Sequence, residues 1–212
     1  MLFEKVLSAE ELKLVRTLTS PPEIQSFLDQ LTYSADPFYR CPLRVLRERQ
    51  AHCFDGALFA AAILHQIGFQ PLILDMIPNS RDDDHLLALF KIDGYWGAIA
   101  KSNFVGLRYR EPIFRNLREL VLSYFEQYYN VAGEKTLRGY TVPLNLTIFD
   151  KLNWMTEDIH LERIAGKLDQ IRRFELMNEH MIKNLSPVDK RSLEAGLTGA
   201  NTAGLYKPSS EK

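Results

Sequence analysis

Every residue from Ala57 to Leu64 is apolar, so a helix at this point has no face for water and must lie inside the protein. The surrounding stretch, Ala51 to Gly68 (AHCFDGALFAAAILHQIG), therefore reads as the core element around which the rest of the chain is arranged. Its first turn carries Cys53 between His52 and Asp55, two groups that are costly to bury without partners. A thiol at the start of a buried helix is placed where the helix N-terminus favours the thiolate, which suits a nucleophile.

Helical spacing precedes this element and strand-like patterns follow it. Ser8 and Glu11 form a capping box ahead of Leu12, Val15 and Leu18, which predicts a helix over 9–18. Ser20-Pro21-Pro22-Glu23 predicts a second helix start, with Ile24, Phe27, Leu28 and Leu31 on one face. Gly68 and Pro71 end the central helix. Leu72 to Met76 and His85 to Ile92 then read as strands separated by a polar loop, and Asp93-Gly94 predicts a two-residue hairpin into a return strand, Tyr95 to Lys101. Helices followed by antiparallel strands predict an α+β fold, a buried helix packed on an antiparallel sheet with extra helices at both ends. Further on, the spacing predicts a helix over 114–129 and a longer one over 156–184. The chain is expected to form one domain over 1–195, followed by a flexible tail, 196–212, rich in Gly, Ser, Thr and Lys.

A formal net charge of -1, with both signs interspersed, offers no footprint for nucleic acid or an anionic membrane surface. No apolar run reaches transmembrane length, and acidic residues stand where a secretory signal needs an apolar stretch, so the cytoplasm is the expected compartment. In a reducing compartment Cys41 and Cys53 read as free thiols. The run Asp82-Asp83-Asp84-His85 reads as a solvated acidic loop rather than a metal site, because adjacent aspartates point in different directions. No cofactor is called for.

A two-residue hairpin at Asp93-Gly94 pairs Ile92 with Tyr95 and Lys91 with Trp96. The same count carried to the end of both strands sets His85 opposite Ser102. Cys53 can supply a nucleophile and His85 a base; His52 competes, but as the sequence neighbour of Cys53 it is expected to point elsewhere.

Cys53-Phe54-Asp55 with Ala57, then His85 heading a strand that runs into Asp93-Gly94-Tyr95-Trp96, resembles the transglutaminase-like superfamily of papain-fold cysteine enzymes over roughly residues 45 to 105. The resemblance implies a transglutaminase-like core in which Cys53 is the nucleophile and His85 the base. The reaction it implies forms a thioester from a peptide or amide substrate and passes the acyl group to water or an amine. It also implies an aspartate four residues after the tryptophan, where this chain has Ala100; Ser102 or Asn103 would then orient the base. That departure leaves two functions open: a cysteine-dependent hydrolase or acyltransferase with a peptide or amide substrate, and a non-catalytic binding or scaffold protein that retains the fold and holds a protein partner.

Overall fold

The computed structural model describes residues 2–208. Short helices α1 (Leu2–Lys5), α2 (Ala9–Val15) and α3 (Pro21–Asp29) open the chain, α2 closed at its start by the reciprocal Ser8–Glu11 capping box. β1 (Thr32–Tyr33) lies parallel to β2 (Gln50–Ala51), and α4 (Pro42–Glu48) spans the connection between them. The central helix is α5 (Cys53–Gln66), buried at every residue from Cys53 to Leu64. Gly68 follows it at φ 98°, a conformation open to glycine.

A seven-stranded antiparallel sheet comes next. It contains β3 (Leu72–Pro78), β4 (His85–Ile92), β5 (Tyr95–Ile99) and β6 (Arg110–Phe114), then, after α6 (Leu117–Leu122), β7 (Leu137–Thr141) and β8 (Leu144–Asn145). Helix α7 (Leu161–Gln170) leads to β9 (Arg173–Glu175), and α8 (Glu179–Lys183) and α9 (Lys190–Gly196) follow. Strand order is β6-β5-β4-β3-β7-β9, with β8 also on β3. The fold is α+β. Among the described residues no helix is long and apolar enough to cross a membrane.

The sheet separates two cores. Ile73, Leu86, Ala88, Phe90 and Ile99 pack with α5, whereas Leu74, Met76, Leu87, Leu89 and Ala98 pack with Leu120, Tyr124 and Tyr128 on the other face. Period two along β4 thus assigns each side chain to a layer.

The β4–β5 hairpin forms as its sequence requires: Asp93 and Gly94 both have positive φ, and Ile92 pairs with Tyr95, Lys91 with Trp96. The pairing ends at Ala88 with Ile99, so Ser102 does not face His85, and His85 pairs instead with Met76 of β3. Ala100 leaves the ladder because both its main-chain groups bond the Gln25 side chain, each at 3.0 Å. Lys101 follows it under α5, its Nζ donating to the carbonyls of Leu28 and Leu31 at the end of α3.

The later helices are shorter than their spacing predicts. Residues 110–114 join the sheet as edge strand β6, Pro112 included, and α6 begins only after Asn116, whose side chain caps Glu119 N. The long helix expected over 156–184 divides at β9, since Phe174 and its neighbours pair with β7. Gly139 of β7 permits this, because a Cβ there would lie 2.8 Å from the Phe174 carbonyl oxygen. Within the expected tail, Asn201 has specific partners: Asn103 accepts from Asn201 N (2.7 Å) and donates to Asn201 O (2.8 Å), and Asn201 Nδ2 donates to Tyr33 O (2.9 Å). The end of the expected tail, 209–212, lies outside the described residues.

Candidate active site

His52 caps α5 with φ -78° and ψ 174°, extended rather than helical backbone. Its main-chain N–H donates to Asp55 Oδ2 at 3.0 Å, the reciprocal arm that fixes the first turn. Asp55 is wholly buried and also accepts from Arg40 N at 2.8 Å, with the Arg40 guanidinium 3.8 Å away. Arg40, itself 1% exposed, bonds Ser34, Asp36 and Glu48 as well. This arginine resolves the cost of burying Asp55. Burial still pushes the Asp55 carboxyl up to about 6.

Cys53, at the first helical position, is 2% exposed, and Sγ lies 3.2 Å from His52 Nδ1. A second acceptor for the thiol hydrogen is the Asp84 carbonyl, at 3.8 Å. On the far side of the His52 ring, Nε2 is 3.9 Å from Asp83 Oδ2, and the Tyr33 ring stands 5.4 Å from it, centroid to centroid. Thiol, imidazole and carboxylate thus follow one another in a line. With Nδ1 accepting from the thiol, Nε2 carries the ring hydrogen toward Asp83. Burial lowers the His52 pKa, and the nearby Asp83 charge opposes this. Burial raises the Cys53 thiol, and the Asp84 and Asp83 charges raise it further. The resting pair is therefore neutral thiol and neutral imidazole.

His85 lies elsewhere. On β4 it shares the face of Leu87 and Leu89, away from α5, and its ring meets Tyr128 edge-on at 6.4 Å. Its Nε2 is 2.9 Å from the Leu107 carbonyl, which makes Nε2 the donor. Burial pushes its pKa down to about 4. Ser102 Oγ accepts from Phe104 N at 2.9 Å and so closes its own turn. His85 and Ser102 do border one small cavity, together with Tyr33, Asn103 and Tyr128. The structure thus brings His52 to the thiol and sets the His85 ring against the Leu107 carbonyl and Tyr128.

Three forms of LapG from Legionella pneumophila resemble the structure. One has a TM-score of 0.35 at 15% identity, over 46% of this chain and 68% of that one. The calcium-bound form scores 0.36 at 15% identity, over 48% and 68%. The EGTA-treated form scores 0.39 at 12% identity, over 76% and 93%. No family model matches the sequence, and no curated protein matches it.

Cys53 opens onto a cavity of its own. Phe54, Leu86, Ala165 and Leu168 supply apolar walls, with Tyr39 and His52 beside them and Asp83, Asp84 and Asp169 among the polar lining. The acidic loop read from the sequence therefore contributes to the site through Asp83 and Asp84. Asp82 diverges, accepting from Thr136 Oγ1. Among the described residues no group of three or more His, Cys, Asp or Glu side chains is placed to hold a metal ion. Sequence reasoning missed Arg40, Asp83 and Asp169, and it ranked His52 below His85. A signal for His52 was present, since a cap residue is not bound by helical side-chain directions.

Proposed function

We propose that the chain is a transglutaminase-like cysteine enzyme that transfers an acyl group from a peptide or amide carbonyl through a thioester on Cys53. The observation that carries this reading is the 3.2 Å contact between Cys53 Sγ and His52 Nδ1 at the start of a buried helix, with Asp83 behind the ring. His52 takes the thiol proton as Sγ attacks the carbonyl carbon, and main-chain N–H groups of the first helical turn face the oxyanion. Collapse of the tetrahedral adduct expels the amine, which leaves with the proton that His52 held. Water or a second amine then attacks the thioester, again with His52 as base, and regenerates the thiol. Asp83 keeps the imidazole in the tautomer that presents a bare Nδ1 and stabilises the imidazolium. In this reading His85 and Ser102 take no part in the proton transfer.

A binding protein without turnover is the second reading. It is favoured by the burial of the thiol, which raises its pKa, an effect to which the Asp84 and Asp83 charges add. The two are separated by incubation with p-nitrophenyl acetate. An enzyme releases p-nitrophenol and acquires an acetyl group on the Cys53 peptide that hydroxylamine discharges, and Cys53→Ala abolishes both. Absence of acetylation at Cys53 in folded protein overturns the enzymatic reading.

A further inference from the structure

We propose that the cavity beside Cys53 receives a cationic group of the substrate, an ammonium or guanidinium carried on an aliphatic stem. This deepens the acyl-transfer reading and rests on it for the word substrate. The cavity pairs apolar walls, Phe54, Leu86, Ala165 and Leu168, with carboxylates from two elements, Asp83 and Asp84 before β4 and Asp169 at the end of α7. Apolar walls with an acidic rim suit a side chain whose stem is hydrocarbon and whose head is positive.

The carboxylates are incompletely matched from within. Asp169 has Arg173 at 3.4 Å, and Asp83 has the neutral His52. The Asp84 carboxyl is pushed up to about 6 by burial and by the Asp83 and Asp169 charges, with Arg173 as the opposing charge. Behind them stands Asp75, 3% exposed, with Oδ1 buried and without a hydrogen-bond partner. Asp75 pairs across the ladder with Leu86, so it lies on the same face of the sheet as the cavity wall that Leu86 provides. Burial, with the Asp84 charge, pushes the Asp75 carboxyl up to about 8 although the Arg173 charge opposes this, so near neutral pH it holds a proton that a cation bound in the cavity would displace. Among the described residues no lysine or arginine lines the cavity, and the end of the α7 dipole adds negative potential where Asp169 stands.

The same arrangement couples binding to chemistry. The charges of Asp84 and Asp83 oppose formation of the thiolate at Cys53. A positive group between them offsets that opposition, so the substrate that fits the cavity also activates the nucleophile.

The test compares two thiol reagents of opposite charge, aminoethyl methanethiosulfonate and sulfonatoethyl methanethiosulfonate, on the full chain at low ionic strength. In each case the thiolate attacks the sulfenyl sulfur, a mixed disulfide forms and methanesulfinate leaves. Rates at Cys53 are read by peptide mass spectrometry, apart from Cys41, and normalised to each reagent's rate with mercaptoethanol. The cationic reagent is expected to react about tenfold faster than the anionic one or more. The preference should collapse in the Asp84→Asn/Asp169→Asn double variant, whose changes lie outside the Cys53–His52–Asp83 line. Equal normalised rates in the unaltered protein, or a preference that survives in the double variant, would overturn the proposal. The uncharged ester p-nitrophenyl acetate distinguishes the two readings: acetylation of Cys53 without any charge preference in labelling removes the cation site and leaves acyl transfer standing.

Discussion

At the scale of single residues, His52 shows how a cap position escapes the rule that sequence neighbours on a helix diverge. Its extended backbone frees the ring to swing back over the first turn, and Nδ1 reaches Sγ of the adjacent residue. His85 shows the reverse. Its place at the head of β4 was legible, but the face it takes depends on which layer Leu86 and Leu87 enter, a tertiary fact. Its burial has a measurable consequence. With a folded pKa of about 4 against an ordinary 6.5, the folded state binds fewer protons at His85 than the unfolded chain between those values. The stability it contributes is whole above pH 6.5 and is lost as pH falls toward 4, by about 3 kcal/mol in all. Asp55, raised to about 6, acts with the opposite sign over part of that range. The comparison is therefore urea denaturation of the unaltered protein and His85→Gln across pH 4 to 7: the variant should show the shallower loss on acidification, and parallel curves would contradict it. Arg40→Met removes the counter-charge of Asp55 and the partner of Glu48. It is expected to cost about 3–5 kcal/mol in the same assay near pH 7.

Elements were most legible where local chemistry decides them. The α2 capping box, the apolar run of α5 and the Asp93-Gly94 turn all form where the sequence puts them. The misread elements are those settled by distant partners. Ser102 lost its expected place opposite His85 because the Gln25 side chain takes both main-chain groups of Ala100, a contact across 75 positions of sequence. The helix expected over 156–184 gave way to β9 because β7 offered it a ladder, with Gly139 leaving the room. Gly56, in the first turn of α5, tests how tightly this region is packed. A Cβ there would fall 2.3 Å from Lys101 Cβ, so Gly56→Ala must displace the Lys101 stem that crosses beneath the helix. A loss of about 1–3 kcal/mol is expected, against the slight gain alanine gives in an open helix. A stabilised variant in urea titration would show that Lys101 does not bind there as described.

For the molecule as a whole, the segment expected from composition to be a flexible tail, 196–212, contains a residue with side-chain and main-chain partners elsewhere, Asn201. Its residues are small and without period, yet the Asn103 side chain pairs with the main chain of Asn201 as another peptide group would, and Asn201 reaches Tyr33 beside the candidate site. Side-chain-to-main-chain docking of this kind leaves no periodic trace. Hydrogen exchange should therefore show the Asn201 amide protected, and Asn103→Ala should release that protection and lower stability by about 1–2 kcal/mol. Exchange of Asn201 at the rate of a free peptide would contradict this anchoring. The α+β plan, the buried central helix and the thiol at its start were readable from the chain; the contact of His52 with the thiol follows from its cap backbone, and the face that His85 takes follows from the layers of the assembled fold. The most direct measurement is the rate of Cys53 alkylation by iodoacetamide between pH 6 and 10 in the unaltered protein, His52→Ala and His85→Ala. Transfer of the thiol proton to His52 predicts that His52→Ala slows the reaction about tenfold or more near neutral pH while folded His85→Ala retains it. Alkylation indifferent to His52 and abolished by loss of His85 would contradict it.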